Sequence, residues 1–306
     1  MKERISIREA ATEAEINSFW RELDAYHDRD IFPKAGSTER EYFHSNEYRE
    51  AIQAAHDREN DRCYYLLFSR GDLNIGFALT SLYTGEDGKF FILEFCVLPE
   101  YRGGGTGHDC AAALLDWAKE RGMMYAELNC AEPRRIRFWQ SLGFTVNGVD
   151  EWGEPLMLLP PADKLPFTVK IADKVDWHLL RLQNGYHVEI GEEPLDAPYQ
   201  ERLRAAVDEG RITFLILMRG FRCIGMCSIA PVFSSFECMN VGVFEDFYIE
   251  PVFRKSGGAR LLTDAAHRFG LEHGYSDLTV TCAPCDEAMY QALGFTTRLG
   301  SVYADI

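Results

Sequence analysis

The sequence predicts an α/β protein (α+β in the sense of a mixed sheet) made of two similar halves. Three observations carry that prediction. Apolar stretches of strand length alternate with stretches of helical spacing along the whole chain. A strand runs through a glycine-rich turn into a helix twice, at "VLPEYRGGGTG" (residues 97–107) and "IEPVFRKSGGA" (249–259). The order of elements in the first half then returns in the second.

In the first half an opening strand (5–8) leads into a helical stretch with extra residues around 28–45. Two strands follow at 63–69 and 75–83, then a third at 90–98. The glycine turn opens a helix over about 105–121, with Ala111, Leu114, Leu115 and Ala118 on one face. Gly122 sits where a helix-ending glycine belongs. A strand (125–130) and a short helix ending in "LGF" complete the core. The second half repeats this with strands at 168–171, 212–219, 224–232 and 241–250, a helix over about 258–273 presenting Leu261, Leu262, Ala265 and Phe269, a stop at Gly274 and a strand at 277–282. Strand alternation places Glu245 and Asp246 on opposite faces, and Cys223 and Cys227 on the same face.

The correspondence is residue by residue. Arg102 and Arg254 are 152 positions apart, as are Pro99 and Pro251, and Gly122 and Gly274. "NCAEPRRIRFWQSLGF" (129–144) faces "TCAPCDEAMYQALGF" (281–295), and "LNIGFALT" (73–80) faces "RCIGMCSI" (222–229). The chain's 306 residues therefore divide into a domain over 1–160 and a second over 165–306. They join through "LLPPADKLPF" (158–167), whose three prolines suit a linker.

Composition narrows the functions. A hydrophobic content of 46% fills real cores and excludes a disordered chain. A formal net charge of −16 argues against a general nucleic-acid partner and mildly favours a cationic ligand. The longest apolar run, "ITFLILM" (212–218), has strand length, well short of the roughly 18 residues a membrane span needs. The N-terminal "MKERISIREA" has no apolar core of a secretory signal. Nine cysteines, an odd number scattered singly, fit reduced thiols in the cytoplasm.

The glycine turns suit an anion. A strand that enters a helix through glycines points backbone N–H groups and the positive end of the helix at one spot, a setting for phosphate or diphosphate. Neither turn has the Gly-Lys-Ser/Thr of a P-loop, and His108 stands where a dinucleotide fingerprint needs its third glycine. Instead, "PEYRGGGTG" with "FWQSLGF", and "PVFRKSGGA" with "MYQALGF", resemble the GNAT superfamily of acyl-CoA-dependent N-acetyltransferases, here as a tandem pair over essentially the whole chain.

The resemblance implies acetyl-CoA as acetyl donor and no metal. It assigns the coenzyme diphosphate to the backbones of Arg102, Gly103, Gly104, Gly105, Thr106 and Gly107, and of Arg254, Lys255, Ser256, Gly257, Gly258 and Ala259. It assigns the pantetheine arm to the preceding strands around Cys96 and Val97, and Tyr248 and Ile249. The resemblance further implies a bulge in that strand, which splays two strands and can leave an amide facing the thioester oxygen.

"FEDFYIEP" (244–251) is similar to a strand of diamine and polyamine acetyltransferases whose first carboxylate is the proposed base, which maps to Glu245. Tyr290 stands where the family's proton-donating tyrosine stands. The first copy has Leu93 and Trp139 at those two places, with Glu94 and Glu127 as alternative bases. The implied activity is acetyl transfer to a small-molecule amine, with chemistry in the second copy. The alternatives are chemistry in the first copy, or a coenzyme A-binding sensor or scaffold. Cys282 and Cys285 form a lone CxxC without a second pair at zinc-binding spacing, and read as loop thiols. His27, His44 and His56 lie in the longer helical region of the first copy, with no convincing metal spacing.

Overall fold

The computed structural model describes residues 3–33, 38–161 and 165–297. The chain forms two compact units: Met1–Val146 with Leu156–Asp163, and Asn147–Pro155 with Lys164–Ile306. Of the predicted linker, residues 162–164 lie outside the described residues, as do 34–37 of the predicted extra stretch.

The first unit opens with β1 (Ile5–Glu9) and α1 (Glu13–Tyr26). Thr12 starts α1 through a capping box: its side chain accepts the Glu15 N–H while Glu15 reaches back to the Thr12 N–H. One turn of π-helix (His27–Ile31) extends α1, and α2 (Thr38–Phe43) and α3 (Asn46–His56) follow. Then come β2 (Arg62–Arg70), β3 (Leu73–Tyr83), β4 (Lys89–Val97), α4 (Thr106–Lys119), β5 (Tyr125–Asn129), α5 (Pro133–Gln140), β6 (Thr145–Val149) and β7 (Pro155–Leu159). The sheet order is β1-β2-β3-β4-β5-β7-β6, with β4 and β5 parallel.

Alternation along the strands divides the core into two layers. Leu66, Phe68, Ala78 and Phe90 pack under α4, whose Ala111, Leu114, Leu115 and Ala118 are buried as the spacing predicts. Tyr65, Leu67, Phe77 and Leu79 face the other way, onto Phe19, Trp20 and Leu23 of α1 and Tyr48 and Ile52 of α3. Each large apolar side chain fully buried in this way stabilises by roughly 1.5–3 kcal/mol.

The second unit contains β8 (Phe167–Ile171), α6 (Trp177–Ile190), α7 (Ala197–Asp208), β9 (Thr213–Arg219), β10 (Arg222–Ser234), β11 (Met239–Ile249), α8 (Gly258–Glu272), β12 (Leu278–Val280) and α9 (Glu287–Ala292). Its sheet order, β12-β11-β10-β9-β8, reproduces the order of the first five strands of the first unit. β6 and β7 go beyond the sequence prediction. They are short, and Gly148 interrupts any apolar alternation.

The second unit also includes the segment 147–155. Here the Val252 N–H donates to Asn147 Oδ1 at 3.3 Å, and Asn184 Nδ2 donates to the Glu151 carbonyl at 2.9 Å. The Tyr248 phenol lies against Gly148 and Gly185: a Cβ at either position would sit 2.8 Å from its oxygen. The second unit also holds a buried ion triad. Glu250 is 1% exposed and accepts from Arg222 at 3.0 and 2.7 Å and from Arg181, while Arg181 also donates to the Cys223 carbonyl at 2.7 Å. Among the described residues no helix is long and apolar enough to cross a membrane.

Candidate functional site

In each unit the central strands part company at the same place. β4 pairs with β5 only from Lys89 to Phe91, yet continues along β3 to Val97. β11 pairs with β12 only from Gly242 to Phe244, yet continues along β10 to Ile249. The later residues of β4 and β11 thus turn one backbone edge toward a widening gap. Each strand is also bulged there. The β3–β4 register shifts between Leu79 and Thr80, opposite Leu93, and the β10–β11 register shifts between Met226 and Ser228, opposite Asp246 and Phe247.

The bulges overturn the alternation expected at these carboxylates. In β4, Leu93 packs on the α1–α3 layer, and Glu94 reaches the same layer to meet His27 at 2.9 Å. In β11, Asp246 takes a left-handed φ of +51°, and Tyr186 of α6 senses the charges of both Asp246 and Glu245. A further register shift between Cys223 and Gly225 puts Cys223 in one apolar cluster with Met226, a cluster that does not include Cys227.

Past each strand comes the glycine turn. Arg102 Nε donates to the Val97 carbonyl at 2.8 Å, and Arg254 Nε to the Ile249 carbonyl at 2.7 Å. The outer nitrogens of each guanidinium engage a carboxylate on the α1 or α6 side: Arg102 takes Asp30, and Arg254 takes Glu189. Gly105 (φ +84°) and Gly257 (φ +93°) cap the following helices in the left-handed region. Gly103, Gly104 and Gly105 are exposed, as are Lys255, Ser256 and Gly257, whereas Thr106 and Gly258 are buried as the helices begin. Gly107 and Ala259 are half-buried one residue further on. Lys255 adopts φ +58°, where the first copy has Gly103 at +96°. Cys96 is 2% exposed, and burial pushes its thiol up to about 11.

Around the gap in the second unit stand the two predicted reacting groups. Glu245 is exposed, and its carboxyl is raised by partial loss of solvent and then by the charge of Asp246. Tyr290 rests among Phe244, Phe247 and Phe295, with ring centroids 5.8–6.4 Å away. Burial and then Tyr186 push its phenol well above the ordinary tyrosine range, so it keeps its proton. Trp139 occupies the equivalent place in the first unit, 5.3 Å from Phe95 and 5.2 Å from Phe144.

Family models match both halves: "Acetyltransferase (GNAT) family" over residues 23–144 and "Acetyltransferase (GNAT) domain" over 185–305. This chain is a tandem member of the GNAT acetyltransferase family. A search of curated proteins returned no match. Among solved structures, an acetyltransferase from Trypanosoma brucei is 16% identical and covers 46% of this chain and all of its own, with a TM-score of 0.39. An aminoglycoside acetyltransferase from an uncultured soil metagenomic sample is 14% identical over 46% of this chain and 95% of its own, with a TM-score of 0.41. The PaiA N-acetyltransferase of Thermoplasma acidophilum, solved with coenzyme A, is 18% identical over 50% of this chain and 97% of its own, at 0.39.

Within the GNAT frame, the structure adds residues around the gap that sequence reasoning missed. Gln183 is 3% exposed, donates to Asp246 Oδ2 at 3.2 Å, and has no hydrogen-bond partner for its own Oε1 among the described residues. Ser228 donates to the same carboxylate oxygen at 2.8 Å. Both sit on elements whose sequence reads only as core, and no local signal marks them. Glu127 is 2% exposed and is the last β5 residue paired with β4, opposite Phe91. The open strand edge and the exposed helix-capping turn together fit a coenzyme arm and its diphosphate.

Proposed function

We propose that this GNAT protein transfers acetyl from acetyl-CoA to a primary amine of a small molecule, with the chemistry in the second unit. The observation that carries this reading is the gap between β11 and β12, flanked by a raised carboxyl at Glu245 and a protonated phenol at Tyr290. The turns 102–107 and 254–259 would hold the donor's diphosphate. The strand ends Cys96 and Val97, and Tyr248 and Ile249, would hold its arm.

At pH 7 only about one alkylamine in a thousand is neutral. Glu245 takes the ammonium proton, and the freed lone pair attacks the thioester carbonyl carbon. An amide of the bulged strand receives the developing oxyanion. As the C–S bond breaks, Tyr290 gives its proton to the departing thiolate and regains one as the second nitrogen proton leaves to give the neutral amide, and Glu245 releases its proton to water. The acidic groups around the gap, with a net charge of −16 on the chain, favour a cationic acceptor over nucleic acid.

The test mixes protein, acetyl-CoA and a panel of polyamines, aminoglycosides and amino acids, and follows thiol release. Tyr290→Phe is expected to lower kcat by about 100-fold or more, with Trp139→Phe near wild type. Tight coenzyme A binding with no turnover on any amine would instead identify a coenzyme-binding sensor.

A further inference from the structure

Both glycine turns are braced by an arginine, but the first unit adds a tie that crosses its gap. Asp30 lies in the π-helical turn after α1. Its carboxylate accepts from Arg102 Nη1 and Nη2 at 3.3 and 2.5 Å, and from Arg29 Nε and Nη2 at 3.1 and 2.9 Å. Its main-chain carbonyl accepts from Arg135 Nη2 at 2.5 Å. Arg135 stands in the first turn of α5. Three guanidinium groups from three segments of the first unit thus meet on one residue. The Tyr26 phenol, raised by burial and then by Glu94, is drawn back by the charge of Arg135, which puts that guanidinium within reach of the α1 side.

This tie joins layers that a continuous sheet keeps apart. α5 packs in the α4 layer through Ile136 and Phe138, while Ile31, next to Asp30, packs with Cys96 in the α1–α3 layer. Elements on opposite faces can bond directly where the strands between them have parted. β4 leaves β5 after Phe91, and Asp30 sits by the far end of β4, where Arg29 and Arg102 lie 3.9 and 4.0 Å from Cys96 Sγ. The bond from Arg135 to Asp30 therefore spans the mouth of the gap. In the second unit Arg254 takes Glu189, but Asp286 stands four residues before Tyr290 where Arg135 stands four before Trp139. An ionised carboxylate has no proton to give to a carbonyl.

We propose that Arg135, Asp30 and Arg102 form a bar that holds the first unit's coenzyme cleft shut, so that the second unit fills at lower coenzyme concentration than the first. This rests on the reading above that both turns hold coenzyme. Asp30 acts as a stand-in ligand, because its carboxylate occupies the guanidinium of the turn as a phosphate oxygen would. Entry of the arm requires the tie across the mouth to break, and the apparent affinity falls by the fraction of molecules that are open. The turn with more glycines thus belongs to the guarded cleft, which responds only once the second unit is filled. Simple electrostatics predicts the opposite sign for the deciding variant. Losing Arg135 takes a cation away from an arriving diphosphate, which by itself weakens binding. Losing a bar tightens it.

The experiment uses the full chain carrying Lys255→Glu and Ser256→Glu, whose charges repel a diphosphate from the second turn, and titrates it with coenzyme A by calorimetry. Adding Arg135→Ala should tighten the remaining site by about three- to tenfold, the loss of one exposed charge-assisted hydrogen bond. Arg134→Ala, which removes the same charge one residue away, should leave that site unchanged or slightly weaker. In the chain with an intact second turn, two unequal sites are expected, and Arg135→Ala should bring them closer together. The urea midpoint confirms that each variant is folded. Unchanged or weaker binding after Arg135→Ala would overturn the bar. So would a Lys255→Glu, Ser256→Glu chain that binds no coenzyme A with or without Arg135, while the wild type binds one; the second unit's coenzyme reading would then stand. A wild type that binds none would sink that reading as well.

Discussion

Asp246 sets the chemistry of its neighbour through backbone geometry. It takes a left-handed φ in the bulge, its charge and that of Glu245 raise the Tyr186 phenol after burial does, and burial and then Asp246 raise the Glu245 carboxyl. A raised carboxyl favours the folded state below the ordinary carboxylate range, and that contribution is lost as pH rises through the raised value. Asp246→Asn keeps an acceptor for Ser228 and tolerates positive φ, but removes the charge. The limb of the kcat/KM profile set by Glu245 should therefore move to lower pH, and stability above that range should rise slightly. Lys255 tells a related story. It bears a side chain where Gly103 bears none, at φ +58°. Lys255→Gly is expected to change stability by no more than about 1 kcal/mol, in the stabilising direction, as a shift of the urea midpoint. At this scale Glu245 and Tyr290 were legible as candidates because motif positions name them. Their surroundings were not, since alternation stops at a bulge and nothing in the sequence announces one.

Among elements, the two arginine braces are the repeated device. Each ties the glycine turn both to its own strand end and to a helical segment, through Asp30 in one unit and Glu189 in the other. Burial alone would raise the Asp30 carboxyl, but the hydrogen bonds from Arg102 and Arg29 outweigh it and hold it below its ordinary value. The brace therefore contributes above the usual carboxylate range and weakens as pH falls through the lowered value. On the proposed function, a diphosphate arriving at the turn would compete with Asp30 for Arg102. Asp30→Asn should tighten coenzyme A binding by roughly two- to fivefold at low salt, about 0.5–1 kcal/mol for a partly exposed pair, with the gain shrinking as salt is added. Calorimetry at two ionic strengths reads both effects. Helices α4 and α8 were legible almost to the residue, because apolar spacing marks their faces and glycines mark both ends. β6 and β7 were not, being five residues each with a glycine inside the first.

For the whole molecule, the repeat was the most legible feature, since each copy checks the reading of the other. The place of residues 147–155 was not, because no local pattern says which core a turn will join. A fragment of residues 164–306 lacks Asn147, Gly148 and Glu151, the groups that meet Val252, Tyr248 and Asn184. It should unfold at lower urea than a fragment of 147–306, with tyrosine fluorescence as the readout. The triad of Glu250 with Arg181 and Arg222 has a consequence of another kind. Counting back 152 positions from Glu250 reaches Leu98. Copying the first half's turn onto the second by recombination would thus strand two guanidinium groups in the interior, a loss of about 3–5 kcal/mol. The two turns are therefore not interchangeable cassettes: a chimaera carrying leucine at position 250 should unfold at lower urea than the parent chain.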